Sequence, residues 1–212
     1  MRDLVTMPAD ASPRAIVGFF HGGGFVNGKP KKFKDMADVL AELGVGSISF
    51  SYRVQSRDGT TARDAIDDAR GAAHKLKSAY PNVPILFSGS SAGGLLAIQA
   101  GLEVPANGVV LFNPVLDLSG EKLRKKGVTT GGEETLSPIH MTLNKLPPTL
   151  IFHGTEDNLT PIADSALLVE RQRALGLKAE LVRYEGAGHG LMNKIPLDQL
   201  ASRMMAFIGE IG

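Results

Sequence analysis

Short apolar runs alternate with longer amphipathic stretches along most of this chain. Residues 15–20, 45–52, 84–88, 108–112, 149–152 and 179–184 are each apolar over a length suited to buried strands. Between them the apolar positions recur at three and four. In residues 60–80, Ala62, Ala65, Ile66, Ala69, Ala72, Ala73 and Leu76 keep helical spacing, with charged residues between them. Further helices are predicted over 33–43, 92–103, 162–175 and 197–211, and Gly176 offers a C-terminal cap to the third of these. Residues 2–7 read as a short edge strand, followed by a turn over 8–13.

Strands that alternate with helices, and that are nearly continuous in apolar character, predict an α/β fold. The expectation is a mostly parallel central sheet of about six to eight strands with helices on both faces. Sites in such sheets lie at the carboxyl ends of the strands, so the residues just after each run are the ones to inspect. No internal repeat or linker divides the chain, and residues 1–212 are read as one domain. The one long irregular stretch, 113–147, is a candidate lid with two short helices at most.

A chain of 212 residues is long enough for one sizeable core and short for two. Its formal charge of +1, with acidic and basic residues interspersed, gives no sign of a nucleic-acid partner or an anionic membrane. No stretch has the roughly 18 apolar residues of a membrane span. The absence of cysteine removes disulfides and a thiol nucleophile, while a cytoplasmic protein and a secreted one with its signal removed both fit. No cluster has metal-ligand spacing, and neither a metal nor a cofactor is expected.

The strand ends carry the chemistry. Gly89-Ser90-Ser91-Ala92-Gly93 follows one strand and opens a helix, the context of a G-x-S-x-G nucleophile elbow. Ser91 is the candidate nucleophile, facing a helix N-terminus that favours developing negative charge. His21-Gly22-Gly23-Gly24 after the strand at 15–20 suits an oxyanion hole, because glycines let backbone N–H groups point inward unobstructed. Asp157, in His153-Gly154-Thr155-Glu156-Asp157, is the candidate acid, with Asp117 in reserve. His189, in Gly186-Ala187-Gly188-His189-Gly190, is the candidate base, because a histidine in a glycine loop has no packing role. The order Ser91, Asp157, His189 is that of an α/β-hydrolase triad. His21 is read as supporting the oxyanion loop, His153 as holding the acid loop, His74 as solvated, and His140 as a weaker candidate for the site lining.

Together these motifs, with Tyr52-Arg53 and Gly94, resemble the α/β-hydrolase fold esterases and lipases related to hormone-sensitive lipase, over roughly residues 15–193. The resemblance implies an eight-stranded sheet, no cofactor, and an oxyanion hole made by the N–H groups of Gly22, Gly23 and Ala92. Two departures stand out. The extra N-terminal strands and cap helices of larger relatives are missing or minimal, and Val54-Gln55-Ser56 stands where many relatives have Leu-Ala-Pro. Both bear on substrate range.

The expected function is hydrolysis of small carboxylic esters through an acyl-enzyme on Ser91, including acetyl or feruloyl groups on carbohydrate. Phe25, Leu159, Leu191 and Met192 are the expected substrate contacts. A peptidase of the prolyl-oligopeptidase kind, an arylformamidase and a non-catalytic binding module are the alternatives.

Overall fold

The computed structural model describes residues 2–9 and 12–211. Seven strands are described: β1 (Leu4–Thr6), β2 (Ile16–Phe20), β3 (Gly46–Phe50), β4 (Ile85–Ser90), β5 (Gly108–Phe112), β6 (Thr149–Gly154) and β7 (Ala179–Tyr184). The helices are α1 (Lys34–Glu42), α2 (Gln55–Asp58), α3 (Ala62–Ala79), α4 (Ala92–Glu103), α5 (Glu121–Lys125), α6 (Ile162–Ala174), α7 (Leu191–Lys194) and α8 (Leu197–Ile211). The sheet runs β1-β3-β2-β4-β5-β6-β7. Only β1 is antiparallel, pairing Leu4 with Ser49 and Thr6 with Ser47 on β3. The described sheet thus has seven strands rather than the eight that the resemblance implied. Of the turn expected over 8–13, residues 10 and 11 lie outside the described residues.

Side chains alternate across each strand, and here both faces are buried. Ile16 and Phe20, Ile85 and Phe87, Val109 and Leu111, and Ile151 join one apolar cluster with α3 and α4. Val17 and Phe19, Leu86, Val110 and Phe112, and Leu150 and Phe152 join the other, with α1 and α8. This is why the strands read as unbroken apolar runs. Helix α4, with ten buried residues, fills the centre of the first layer. Helix α3 begins where the Asp64 carboxylate accepts the Thr61 N–H at 2.9 Å. Gly176, at φ 73°, follows the end of α6, where its N–H bonds to Arg173 O.

The segment 113–147 contains α5 and a 3-10 turn at Glu133–Leu136, and it packs down onto the first layer. Leu116, Leu118, Val128, Leu143 and Leu146 are buried there. Gln99 of α4 donates to Leu136 O at 3.0 Å. Arg171 of α6 donates to the carbonyls of Pro138 (3.3 Å), Ile139 and Met141 (2.7 Å). Glu133, polar in the sequence, is buried because its carboxylate accepts the N–H groups of Thr130 and Gly131. No described helix is long and apolar enough to cross a membrane.

Candidate active site

Ser91 links β4 to α4 at φ 54°, ψ −122°, a conformation that L residues rarely adopt. The glycines beside it are steric necessities. A Cβ on Gly89 would lie 2.1 Å from Gly93 O, and one on Gly93 would lie 2.0 Å from Phe20 O. Neighbouring strands hold the turn: Ser91 N–H bonds to Phe112 O (3.0 Å), and Ser91 O accepts from Gly94 (2.9 Å) and Val115 (2.9 Å). Backbone strain of this kind persists only where the surroundings over-determine it.

The loops after β4, β6 and β7 bring three predicted residues together. His189 Nε2 lies 3.0 Å from Ser91 Oγ, and His189 Nδ1 lies 2.8 Å from Asp157 Oδ2. The Asp157 side chain is inaccessible, whereas that of His189 keeps 25 % of its surface. Burial opposes ionisation of Asp157, but the Thr160 N–H and then the side chains of Asn113, Thr160 and His189 outweigh it. They hold the carboxyl well below the usual carboxylate range. An ionised Asp157 only accepts, so Nδ1 of His189 carries the hydrogen and Nε2 is left to accept from the Ser91 hydroxyl. Asp117 is occupied elsewhere: its carboxylate accepts the N–H and hydroxyl of Ser119 at 2.8 and 2.7 Å. The carboxylate beside His189 is that of Asp157.

The glycine loop lies against the serine. A Cβ on Gly22 would sit 3.3 Å from Ser91 Cβ. Gly23, at φ 126°, has no room for a side chain because Asn27 O would be 2.0 Å away. Its carbonyl accepts from Val26 (3.0 Å) and Asn27 (3.2 Å). Among the described residues, no turn or loop hydrogen bond takes the N–H of Gly22, Gly23 or Ala92. His21 is buried beneath this loop, where its ring stacks on Tyr52 at 4.1 Å and its Nδ1 donates to Gly22 O at 2.8 Å. The Tyr52 hydroxyl donates to His21 O at 2.7 Å. Burial lowers the His21 pKa, against the Gly22 bond.

His153 ties the acid loop down. Nε2 donates to Thr160 O at 3.0 Å, and Nδ1 accepts from Ser165 Oγ at 2.8 Å. Burial lowers its pKa too, although the Thr160 carbonyl and Asp157 pull the other way. His74 is 62 % exposed but not only solvated, since it lies 2.9 Å from Glu103. His140 is exposed on the 113–147 segment.

Of the four expected substrate contacts, Phe25 and Leu191 are closed off by the core. Phe25, at φ 61°, has 1 % exposure and packs in the first core layer, so it has no surface to present. Leu191 also has 1 % exposure, but it belongs to the layer on the opposite face of the sheet, and Met192 packs against that same layer. Leu159 is 65 % exposed beside Asp157. Sequence proximity to a triad residue does not fix where a side chain points.

Two residues at the site were missed. Asn113, at φ 44°, donates through Nδ2 to Asp157 Oδ2 and to Gly188 O (3.3 Å). Thr160 donates its N–H to Asp157 Oδ1 (3.0 Å) and its hydroxyl to Oδ2 (2.7 Å). The available signal was Asn113-Pro114 just after an apolar run, because asparagine tolerates positive φ and closes turns.

Residues 17–133 match the family model described as the α/β hydrolase fold. A thermophilic esterase of Thermogutta terrifontis, Est2 in its propionate-bound form, is 33% identical with a TM-score of 0.82, over 99% of this chain and 90% of that one. Its butyrate-bound form is 31% identical with a TM-score of 0.83, over the same shares. Versiconal hemiacetal acetate esterase of Aspergillus parasiticus is 32% identical over 117 residues, 51% of this chain and 37% of that protein. Esterase EstD of Thermotoga maritima is 28% identical over 162 residues, 68% of this chain. The present chain spans only 37% and 39% of the lengths of these last two proteins.

Proposed function

The chain belongs to the α/β-hydrolase fold family, and from that membership we propose that it is a serine carboxylesterase acting on small esters. The observation that carries this reading is the relay from Ser91 Oγ through the His189 imidazole to Asp157 Oδ2, with separations of 3.0 and 2.8 Å. Ser91 Oγ attacks the ester carbonyl carbon while His189 Nε2 takes the hydroxyl proton. The carbonyl oxygen becomes an oxyanion that accepts from the N–H groups of Gly22, Gly23 and Ala92. Each such donor contributes roughly 3–4 kcal/mol to the transition state. Collapse breaks the bond to the alcohol oxygen, which leaves with the proton from His189. Water then attacks the acyl-enzyme by the same route, releasing the carboxylic acid and restoring Ser91. Asp157 fixes the imidazole tautomer and stabilises the imidazolium.

The acyl group is short, from acetyl to butyryl. Two of the large apolar side chains nearest in sequence, Phe25 and Leu191, are consumed by the core, and Leu159 stands in solvent. Each buried methylene contributes ~0.8 kcal/mol, so a site with little apolar lining stops gaining after a few carbons. That the Thermogutta relative is described with propionate and butyrate bound supports the same range. The exposed charges of Glu121, Lys122, Arg124, Lys125 and Lys126 favour a polar alcohol portion such as a sugar. The test is kcat/KM for p-nitrophenyl acetate, butyrate, octanoate and laurate, with fluorophosphonate labelling of wild type and Ser91→Ala. The reading expects a maximum at acetate or butyrate and label on wild type only. A maximum at octanoate or beyond overturns the short acyl range, and an unlabelled wild type overturns the serine hydrolase.

A further inference from the structure

We propose that Asn113 is a positioning residue for the acid, holding the Asp157 carboxylate toward His189 and tying the acid loop to the histidine loop. This rests on the triad reading above. In sheet order, the carboxyl ends of β2, β4, β5, β6 and β7 supply the glycine loop, Ser91, Asn113, Asp157 and His189. Asn113 therefore stands between the nucleophile strand and the acid strand. Its N–H bonds to Phe152 O on β6 (2.9 Å), and its carbonyl lies 3.3 Å from Thr160 Oγ1, whose hydrogen goes to the shorter contact with Asp157. Its amide nitrogen faces two acceptors, Asp157 Oδ2 and the carbonyl of Gly188, the residue before His189. With acceptors on both sides, the NH2 end of the amide must point there. Asp157 Oδ1 is fixed by the N–H groups of Leu159 and Thr160 (2.8 and 3.0 Å). Asn113 and Thr160 fix Oδ2, so the carboxylate has one orientation left, the one that presents Oδ2 to Nδ1 of His189. Packing alone does not call for asparagine at this position. The backbone sits at φ 44°, and the buried Oδ1 of the amide has no hydrogen-bond partner among the described residues. Glycine would meet the φ, and an apolar side chain would leave no orphaned oxygen; what the amide adds is its donor to Asp157 and Gly188.

The experiment compares N113G, N113D and D157N with wild type at pH 8, reading kcat and KM on p-nitrophenyl butyrate. The low-field proton resonance of the His189–Asp157 hydrogen bond is followed alongside. N113G keeps the backbone conformation and removes the donor; kcat is expected to fall about tenfold to a hundredfold, with KM within about twofold. N113D keeps size and tolerance of positive φ but sets a second acceptor against Asp157, so its loss is expected to equal or exceed that of N113G. The low-field resonance is expected to shift or broaden in both. Near-wild-type kcat in N113D with an inactive D157N overturns the proposal, because a space-filling role is then enough. Near-wild-type D157N overturns the triad reading itself. If N113G does not fold by far-UV circular dichroism, N113D decides alone.

Discussion

Gly93→Ala and Gly71→Ala are the same substitution in two helices, and the structure assigns them opposite signs. At Gly93, in the first turn of α4, an added Cβ would lie 2.0 Å from Phe20 O and 2.6 Å from His21 O. An ordinary carbon–oxygen contact is about 3.3 Å, so the first turn of α4 and the end of β2 must separate by about 1.3 Å. Both partners are backbone at the centre of the sheet, with no flexible side-chain end to swing aside. Overpacking of this kind costs about 1–3 kcal/mol. The same separation moves Ser91 away from Gly22, which now sits so close that its own Cβ would be 3.3 Å from Ser91 Cβ. A displacement of about 1 Å at reacting groups costs on the order of a hundredfold in rate. Gly71, exposed within α3, has nothing within 4 Å of the added carbon. There alanine should stabilise by about 0.5–1 kcal/mol, through helix propensity and a less disordered unfolded chain. In a protein of this size that is a rise in Tm of roughly 1–4 °C. Thermal unfolding and turnover of p-nitrophenyl butyrate measure both effects. A Gly93→Ala protein as stable and as active as wild type would refute the packing argument at the elbow.

Further outcomes follow from the same geometry. Ser91→Ala should abolish turnover and leave the circular dichroism and Tm unchanged, since the hydroxyl makes one hydrogen bond at the surface of the site. Asp157→Asn should cost several orders of magnitude in kcat and Asp117→Asn little, because the Asp117 carboxylate bonds Ser119 within its own turn; the reverse result would move the acid to Asp117. Stability should depend on pH with a definite sign. Burial holds the His21 and His153 pKa values below the ordinary 6.5, so the unfolded chain takes up protons first on acidification. Their contribution is complete above about pH 6.5 and is lost as pH falls through the lower folded values. That of Asp157, also lowered, is complete above its ordinary 3.8 and is lost only below it. Urea midpoints from pH 8 to pH 4 should be level at first and then decline, and a decline that begins above pH 7 would contradict this origin.

The arrangement of the candidate site was legible in the sequence to the extent that it depends on backbone. Gly89 and Gly93 announce the elbow because no side chain fits there, and the order of serine, aspartate and histidine follows from strand order in a parallel sheet. Helix α8 and β7 were legible to the residue because their periodicity is undisturbed. Side-chain direction was not legible. Phe25 follows a glycine run, yet at φ 61° its ring is buried in the first core layer. Leu191 is two residues from His189, yet the intervening turn sends it to the far side of the sheet. Asn113 and Thr160 act through contacts 44 and 3 residues from Asp157. Only the first of these gives any local sign, in the Asn-Pro step.

The fastening of the 113–147 segment has a consequence for how this protein can change. Gln99 and Arg171 grip it by four backbone carbonyls, those of Leu136, Pro138, Ile139 and Met141. A carbonyl is the same whatever side chain its residue carries, so apart from Met141, whose sulfur lies 3.2 Å from Gln99 Nε2, these anchors place little demand on residue identity along the segment. The exposed positions from 119 to 126 can therefore be randomised without touching these anchors. A library there should retain the fold in most members, as read by far-UV circular dichroism and Tm. Replacing Arg171 or Gln99 instead would remove the freedom to vary everything they hold.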